Sequence, residues 1–516
     1  MKKFKLYIIA SSLVLFTAIG ISSCTDKFTE YNTDTSKLTE LDASGVGNAF
    51  AASQHRGTMF SWQLFNSLFG DLQAQYFGNI AQNFPSDRNV MVGNWLNGAW
   101  NGFYNQTPAL LGVLENTKPG GKAANPAVFA IANIWKVRMY QPMTDYWGPI
   151  PYSAVGNGLK AVDYDAQDVI YKDFLTTLAK STADLQAFKG KNVLGNNDLI
   201  YNGDVDQWIR FANTLRLRLS IRISGVEPAL AKSNAEAAVA GGVMETNAHD
   251  AYIKTTANNI NSMNQATAWN EFRMSAAMES VLTGYEDPRI TKMYAPIVGT
   301  TATYKGIRNG FTQVELGLAA NQNTVLSNVN DRFTPANQNT NPFEVIMSTE
   351  AWFLRAEGVL KGWNMGGGTA KTYYEKGIEI SMKQWGIADA AAIAAYTASA
   401  KTPIAVTGAV VSPALTNIPV AFSADATKQL EQVMTQKWIA LWPNGAEAWT
   451  EYRRTGFPKL YPRMNSESLF VNKDQVVRRV PYVIGETQVN AAGLATGVTK
   501  LGGADNESTR LWWNSK

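Results

Sequence analysis

The segment Ala132-Asn-Ile-Trp-Lys-Val-Arg-Met-Tyr-Gln-Pro-Met-Thr-Asp-Tyr-Trp-Gly-Pro-Ile-Pro-Tyr-Ser-Ala154 decides the fold. Within it and just before it, Val128, Ile131, Ala132, Trp135 and Met139 recur at i, i+3, i+4, i+7 and i+11, a spacing that gathers apolar side chains on one face of an α-helix. Gly148 with Pro149 and Pro151 ends that helix, because glycine tolerates positive φ and proline pushes the preceding residue towards extended geometry. Asp145, Tyr146 and Trp147 therefore stand where the chain leaves a helix and turns rigidly.

Further stripes follow the same rule. Tyr164 to Leu178 puts Ile170, Phe174, Leu175 and Leu178 on one side, with Asp165 as the helix cap. Trp208, Phe211, Ala212, Leu215 and Leu219 make a third stripe, and Arg216, Arg218 and Arg222 on the same helix read as a solvated or salt-bridged face rather than an anion site. Residues 343–363 and 370–385 predict a helical hairpin joined by Asn364-Met-Gly-Gly-Gly-Thr369. Its Gly358, Ala370, Tyr374 and Gly377 partly match the small, small, aromatic, small register of tetratricopeptide repeats. The expected fold class is mainly α, with irregular tetratricopeptide-like helical hairpins as a scaffold, long loop-rich insertions and little β.

The chain has 516 residues and a formal charge of +4. Lys2, Lys3 and Lys5 belong to a leader, so removing three from 46 basic residues leaves 43 against 42 acidic ones, a balance with no nucleic-acid footprint. Residues 1–23 carry that basic start, an apolar run from Leu6 to Ile19 and then Ile21-Ser-Ser before Cys24, the pattern of a secretory signal peptide. Cys24 is the only cysteine and cannot form an internal disulfide. Its position resembles a bacterial lipobox, which makes it the expected acylated N-terminus. Acyl chains there anchor stably, at roughly 0.8 kcal/mol per buried methylene. Residues 24–44 read as the lipidated cysteine and a hydrophilic tether, and 45–516 as one domain.

Two stretches of that domain lack helical periodicity, around 75–105 and 241–342. The first alternates rings and amides in Gln75-Tyr-Phe-Gly-Asn-Ile-Ala-Gln-Asn-Phe-Pro-Ser-Asp-Arg88 and Gly93-Asn-Trp-Leu-Asn-Gly-Ala-Trp-Asn101. The second is Asn-, Thr- and Gly-rich around Trp269-Asn-Glu-Phe-Arg273. A flat ring beside amide and guanidinium donors suits a sugar, whose C–H face stacks and whose hydroxyls seek paired partners. The same groups would hold a peptide. Tyr76, Asn83, Arg88, Asn94, Trp95, Trp269, Asn270 and Arg273 are the candidate ligand-binding residues, each with ordinary packing as the competing reading. Asp287-Pro288-Arg289 reads as a structural turn.

The string Trp-Lys-x-Arg-x-Tyr-x-x-x-Thr-Asp-x-Trp-Gly-x-Ile-Pro-Tyr-x-x-Ala from Trp135 to Ala154 resembles the signature segment of the SusD/RagB family of nutrient-binding outer-membrane lipoproteins. The resemblance continues in Gly203-Asp-Val-Asp-Gln-Trp208 with Phe211-Ala-Asn-Thr-Leu-Arg-Leu-Arg218. It is most specific in Gln432 to Pro458, where Trp449, Tyr452, Arg453 and Arg454 form an expected cation–π and ion-pair knot with Glu447 or Glu451. It implies a lipid-anchored protein at the outer membrane, facing the cell surface, that binds an oligosaccharide or a peptide and passes it to a TonB-dependent, SusC-like barrel. Surface-exposed members usually carry an acidic cluster after the cysteine, whereas this chain has Thr25-Asp26-Lys27-Phe28. The resemblance does not fix the ligand.

Catalysis finds little support. His55 and His249 are the only histidines, which leaves little room for a histidine triad or a His-rich metal site. No phosphate loop, nucleophile elbow or His-Glu-x-x-His is present. A glycan hydrolase needs only two carboxylates and stays as the rival of another class, although Glu271, Glu279 and Glu286 form no evident pair. The expectation is a protein that is not an enzyme and has no cofactor, with loop-ordering Ca²⁺ left open.

Overall fold

Asn125 starts the central helix by accepting hydrogen bonds on its side-chain oxygen from the Ala127 and Val128 N–H groups, and Pro126 occupies the first helical position. The helix runs Pro126–Trp147 and stops at Gly148, where φ is +86°. The Thr144 hydroxyl donates to the Gly148 carbonyl at 2.7 Å and fixes the exit. One apolar face was the sequence expectation. Instead this helix is enclosed on nearly every side, so that Gln141, Thr144 and Asp145 are as buried as its rings.

The computed structural model describes residues 41–59, 61–158 and 161–514. The signal peptide, Cys24 and the tether up to residue 40 lie outside the described residues. In chain order the main elements are α1 (Ala43–Met59), a π-helical segment (Gln63–Gly70), β1 (Phe77–Asn79), α2 (Gly93–Tyr104), α3 (Thr107–Thr117), the central α4 (Pro126–Trp147), β2 (Ile150–Pro151) and β3 (Tyr164–Asp165). Next come α5 (Gln167–Leu185), α6 (Val205–Arg222), α7 (Pro228–Ala240), β4 (Ala251–Ile253), α8 (Ser262–Thr267) and β5 (Phe272–Met274). The chain continues with β6 (Phe343–Ile346), α9 (Ser348–Leu360), α10 (Ala370–Gln384), α11 (Ala426–Leu441), α12 (Gly445–Thr455) and α13 (Ile484–Val489).

The fold is mainly α. Helices pack in pairs, α4 on α5, α5 on α6, α6 on α7 and α9 on α10, while α11 lies against α9 and α10. The α9–α10 pair approaches closely because Gly377 has no side chain, and a Cβ there would sit 2.7 Å from the Phe353 ring. The strands form three antiparallel pairs, β1 with β5, β2 with β3 and β4 with β6. Asp165 is a correction: it lies in β3, where its Oδ2 accepts from the Ser153 N–H and hydroxyl, and Ala166 is the N-cap of α5.

A charged network ties α4, α6, α9, α11 and α12 together inside this core. Arg222, fully buried on α6, donates to Asp145 at 2.7 Å, to Glu451 at 3.1 Å and to Glu447. Arg218 is forked onto Glu350 and reaches Gln141 at 3.1 Å, and Lys437 meets Glu451 at 2.9 Å. Arg218 and Arg222 are therefore salt-bridged and buried, while Arg216 is half-buried and bonds Asn234. Arg454 holds Glu357 with two 2.7 Å bonds, while Arg453 lies 3.5 Å over the Trp449 ring and donates to the Asp145 and Arg478 carbonyls. The Arg453–Arg454 knot holds the fold. Asp287 and Arg289 form a second buried pair, with Gln436 and Ser381 as further partners of Arg289.

Candidate functional site

The β1–β5 ladder joins the two loop-rich stretches. Phe77 pairs with Met274, Gly78 with Arg273 and Asn79 with Phe272, and the Ile80 N–H extends the ladder by donating to the Glu271 carbonyl at 2.9 Å. Residues nearly two hundred positions apart are thus neighbours. The loop leaving β1 is braced from within: Asn79 Nδ2 donates to the Ala81 and Phe84 carbonyls, and Asp87 Oδ2 accepts from the Asn79 N–H. Asp87 is itself paired with Arg463 at 2.6 Å.

Among the candidates this arrangement leaves Asn83 exposed at the loop and Asn94 exposed in the first turn of α2. Trp95 is half-buried, with the Phe84 ring edge-on against it at 5.0 Å. Across the ladder, Trp269 follows the end of α8 and is 48% exposed, the one exposed tryptophan among the described residues. Asn270, also exposed, takes a left-handed conformation at φ +59°, which asparagine tolerates better than most residues. A large ring left in water beside amides offers the flat apolar face and the polar partners that a binding surface uses.

Three candidates are corrected. Tyr76 is fully buried, its hydroxyl donating to the Trp438 carbonyl at 2.6 Å and its ring packed on Trp438, so no face is left for a ligand. Arg88 is buried and spent on Glu467 at 2.6 Å and on the Phe311 carbonyl. Arg273 is buried too, donating to Asn270 Oδ1 and to the Phe272 and Asn323 carbonyls, and burial pushes it down to about 10. The two arginines hold loops in place, and Arg273 fixes the Asn270 side chain.

Sequence reading missed two members of this surface. Phe84 backs Trp95, and Glu271, half-buried and raised by burial, accepts from Gln63 Nε2 at 2.7 Å. The signal for Phe84 is its place in the ring-and-amide string, and Glu271 stands in Trp269-Asn-Glu-Phe-Arg273 but reads there only as a hydrolase carboxylate. Among the described residues, no group of three or more His, Cys, Asp or Glu side chains is placed to hold a metal ion.

A mainly helical body whose short, buried two-stranded ladder carries loops with exposed amides and one exposed indole has the layout of a binding protein. Residues 29–514 match the family model "SusD-like: Susd and RagB outer membrane lipoprotein". A chitin-binding SusD homologue from Flavobacterium johnsoniae is similar at 34% identity, with a TM-score of 0.82 over 91% of this chain and 98% of that one. SusD homologues from Bacteroides vulgatus (31% identity, TM-score 0.81, 92% and 97% covered) and Bacteroides thetaiotaomicron (29%, 0.82, 91% and 99%) are similar in the same way. No curated protein matches the chain. The chain belongs to the SusD-like family of outer-membrane lipoproteins, a non-catalytic binding family.

Proposed function

We propose that this lipoprotein captures an oligosaccharide nutrient on the surface formed by Asn83, Asn94, Trp95, Trp269 and Asn270 and delivers it to a TonB-dependent, SusC-like barrel in the same membrane. Cys24 is the anchor in this reading, and the protein faces outward from the cell. The observation that carries it is Trp269, which keeps about half its surface in water beside a conformationally fixed asparagine. A sugar ring stacked on that indole would recover its lost burial, and the amides would pair with hydroxyls. The chitin-binding name of one similar structure supports the glycan side of the proposal.

Calorimetric titration with chitooligosaccharides tests it. Saturable binding that weakens about tenfold or more in Trp269→Ala, some 1.4 kcal/mol, is the expected result. Binding of short peptides with no response to any glycan would replace the ligand class. Chain shortening of the glycan during incubation would replace the binding role by hydrolysis.

A further inference from the structure

A cavity lies behind the segment whose Gln63 reaches the ladder surface. It has a free volume of about 60 Å³ between the π-helical segment, α4, α8 and β6. Its walls are mixed, with an aromatic side made by Phe65, Phe333 and Phe343 and Trp62 edge-on to Phe343 at 5.3 Å, and a polar side that includes Arg138 and Glu344. That volume seats several waters or one solute of a few heavy atoms. Arg138, Pro142, Pro342 and Glu344 are partly exposed at its edge, so the space is reached from outside.

Three polar atoms on these walls have no hydrogen-bond partner: Trp62 Nε1, Arg138 Nε and Glu344 Oε1. Each such orphan costs free energy in a dry site, and in folded proteins nearly all are satisfied by chain, water or ligand. Trp62 is 6% exposed, which leaves its N–H no bulk water. Arg138 has only a long 3.5 Å bond to the Val345 carbonyl, and among the described residues no carboxylate lies within ion-pair distance of it. The other acids on the walls are spent, since Asp145 and Glu447 are both held by Arg222. Glu344 Oε1 forms only a long ion pair with Arg332 at 3.7 Å, and Gln384 lies beside the carboxyl.

The geometry points to a small-molecule site that takes a short organic acid bearing a neighbouring hydroxyl or ammonium group. Its carboxylate would accept from Arg138 and the Trp62 indole, its donor would face Glu344, and a short apolar flank would meet the phenylalanine rings. A guanidinium without a carboxylate partner is the natural receiver of such an anion, through paired N–H groups. Burial, and next the Arg218 charge, push Arg138 down to about 10, while burial raises Glu344 to about 7. An anion on the first and a donor on the second would relieve both.

The probes are L-lactate and L-alanine, titrated calorimetrically into the full-length lipoprotein in detergent at neutral pH. Acetate, which lacks the donor, and ethylamine, which lacks the carboxylate, are the controls. Saturable binding of lactate or alanine is expected, at least tenfold tighter than either control, weakened tenfold or more by Arg138→Met and unaffected by Trp269→Ala. Because Arg138→Met alters a charge inside the body, Trp62→Phe is the second variant. It removes the N–H while keeping a ring against Phe343, and a several-fold loss is expected. Lactate binding alone would assign a hydroxy acid, and alanine binding alone an amino acid. No saturable heat from either at millimolar concentration, or equal binding by acetate, or affinities unchanged in both variants, overturns the proposal and leaves the cavity to water.

Discussion

Replacing Arg222 by methionine should unfold the protein more readily than almost any other single change. The side chain fits the same volume, so the loss is one of charge. In the native protein Arg222 is fully buried and serves three carboxylates. Glu451 would keep Lys437 at 2.9 Å and Arg454 at 2.7 Å and Glu447 a long 3.8 Å pair with Arg218, whereas Asp145 would retain only neutral side-chain donors, Tyr171 and Gln141. Breaking a buried pair costs about 3–5 kcal/mol, a large share of the 5–15 kcal/mol that holds an ordinary domain. A stranded carboxylate that folds protonated must take up a proton, which costs about 1.4 kcal/mol for each pH unit above its unfolded pKa. The deficit against wild type should therefore shrink by about 2.7 kcal/mol per such group between pH 7.5 and 5.5. Urea unfolding of the chain from residue 25 onward, followed by tryptophan fluorescence at both pH values, measures it. A deficit under about 1 kcal/mol, or one independent of pH, would refute the view that these charges are mutually dependent.

Other expectations follow from single residues. Glu344 has its folded pKa raised to about 7 by burial. The stability tied to its neutral form is complete below the unfolded carboxylate range and is lost as pH rises through 7. Glu344→Gln should accordingly gain on wild type by up to about 3 kcal/mol between pH 5 and 8, and parallel unfolding profiles would contradict this. Gly377→Ala places a Cβ 2.7 Å from the Phe353 ring, so melting should fall by the equivalent of about 1–2 kcal/mol even after alanine's better helix propensity is counted. Tyr76→Phe should cost about 1–2 kcal/mol of stability, because the Trp438 carbonyl loses its donor, yet leave glycan affinity unchanged. Cys24→Ala should move the protein from the membrane to the soluble fraction, and an unchanged membrane fraction would contradict lipid attachment there.

Helical stripes were legible because a period of 3.6 residues is a local property: Trp208, Phe211, Ala212, Leu215 and Leu219 are all buried as their spacing predicts. The stop after Trp147 was legible for the same reason, since Gly148 and the prolines act on their neighbours. Burial of the arginines was not. Arg222 owes its place to acids on α4 and α12, up to 229 residues away in the chain, and a charged residue on a polar-looking helix carries no mark of that.

The site divides along the same line. Tyr76 and Trp269 sit in equally irregular, amide-rich sequence, and local composition ranks them alike. What separates them is Trp438, which arrives from α11 to stack on Tyr76 and accept its hydroxyl, while nothing comparable covers Trp269. The β1–β5 ladder that joins their two stretches consists of three residues a side, too short for a period-two pattern. A ring outside any stripe therefore marks a candidate, and only the long-range packing partner decides whether it faces inward. Arg273 fixes the asparagine beside Trp269, so at the proposed site that amide would meet a ligand with little ordering cost, while the unpacked indole would pay for its own ordering.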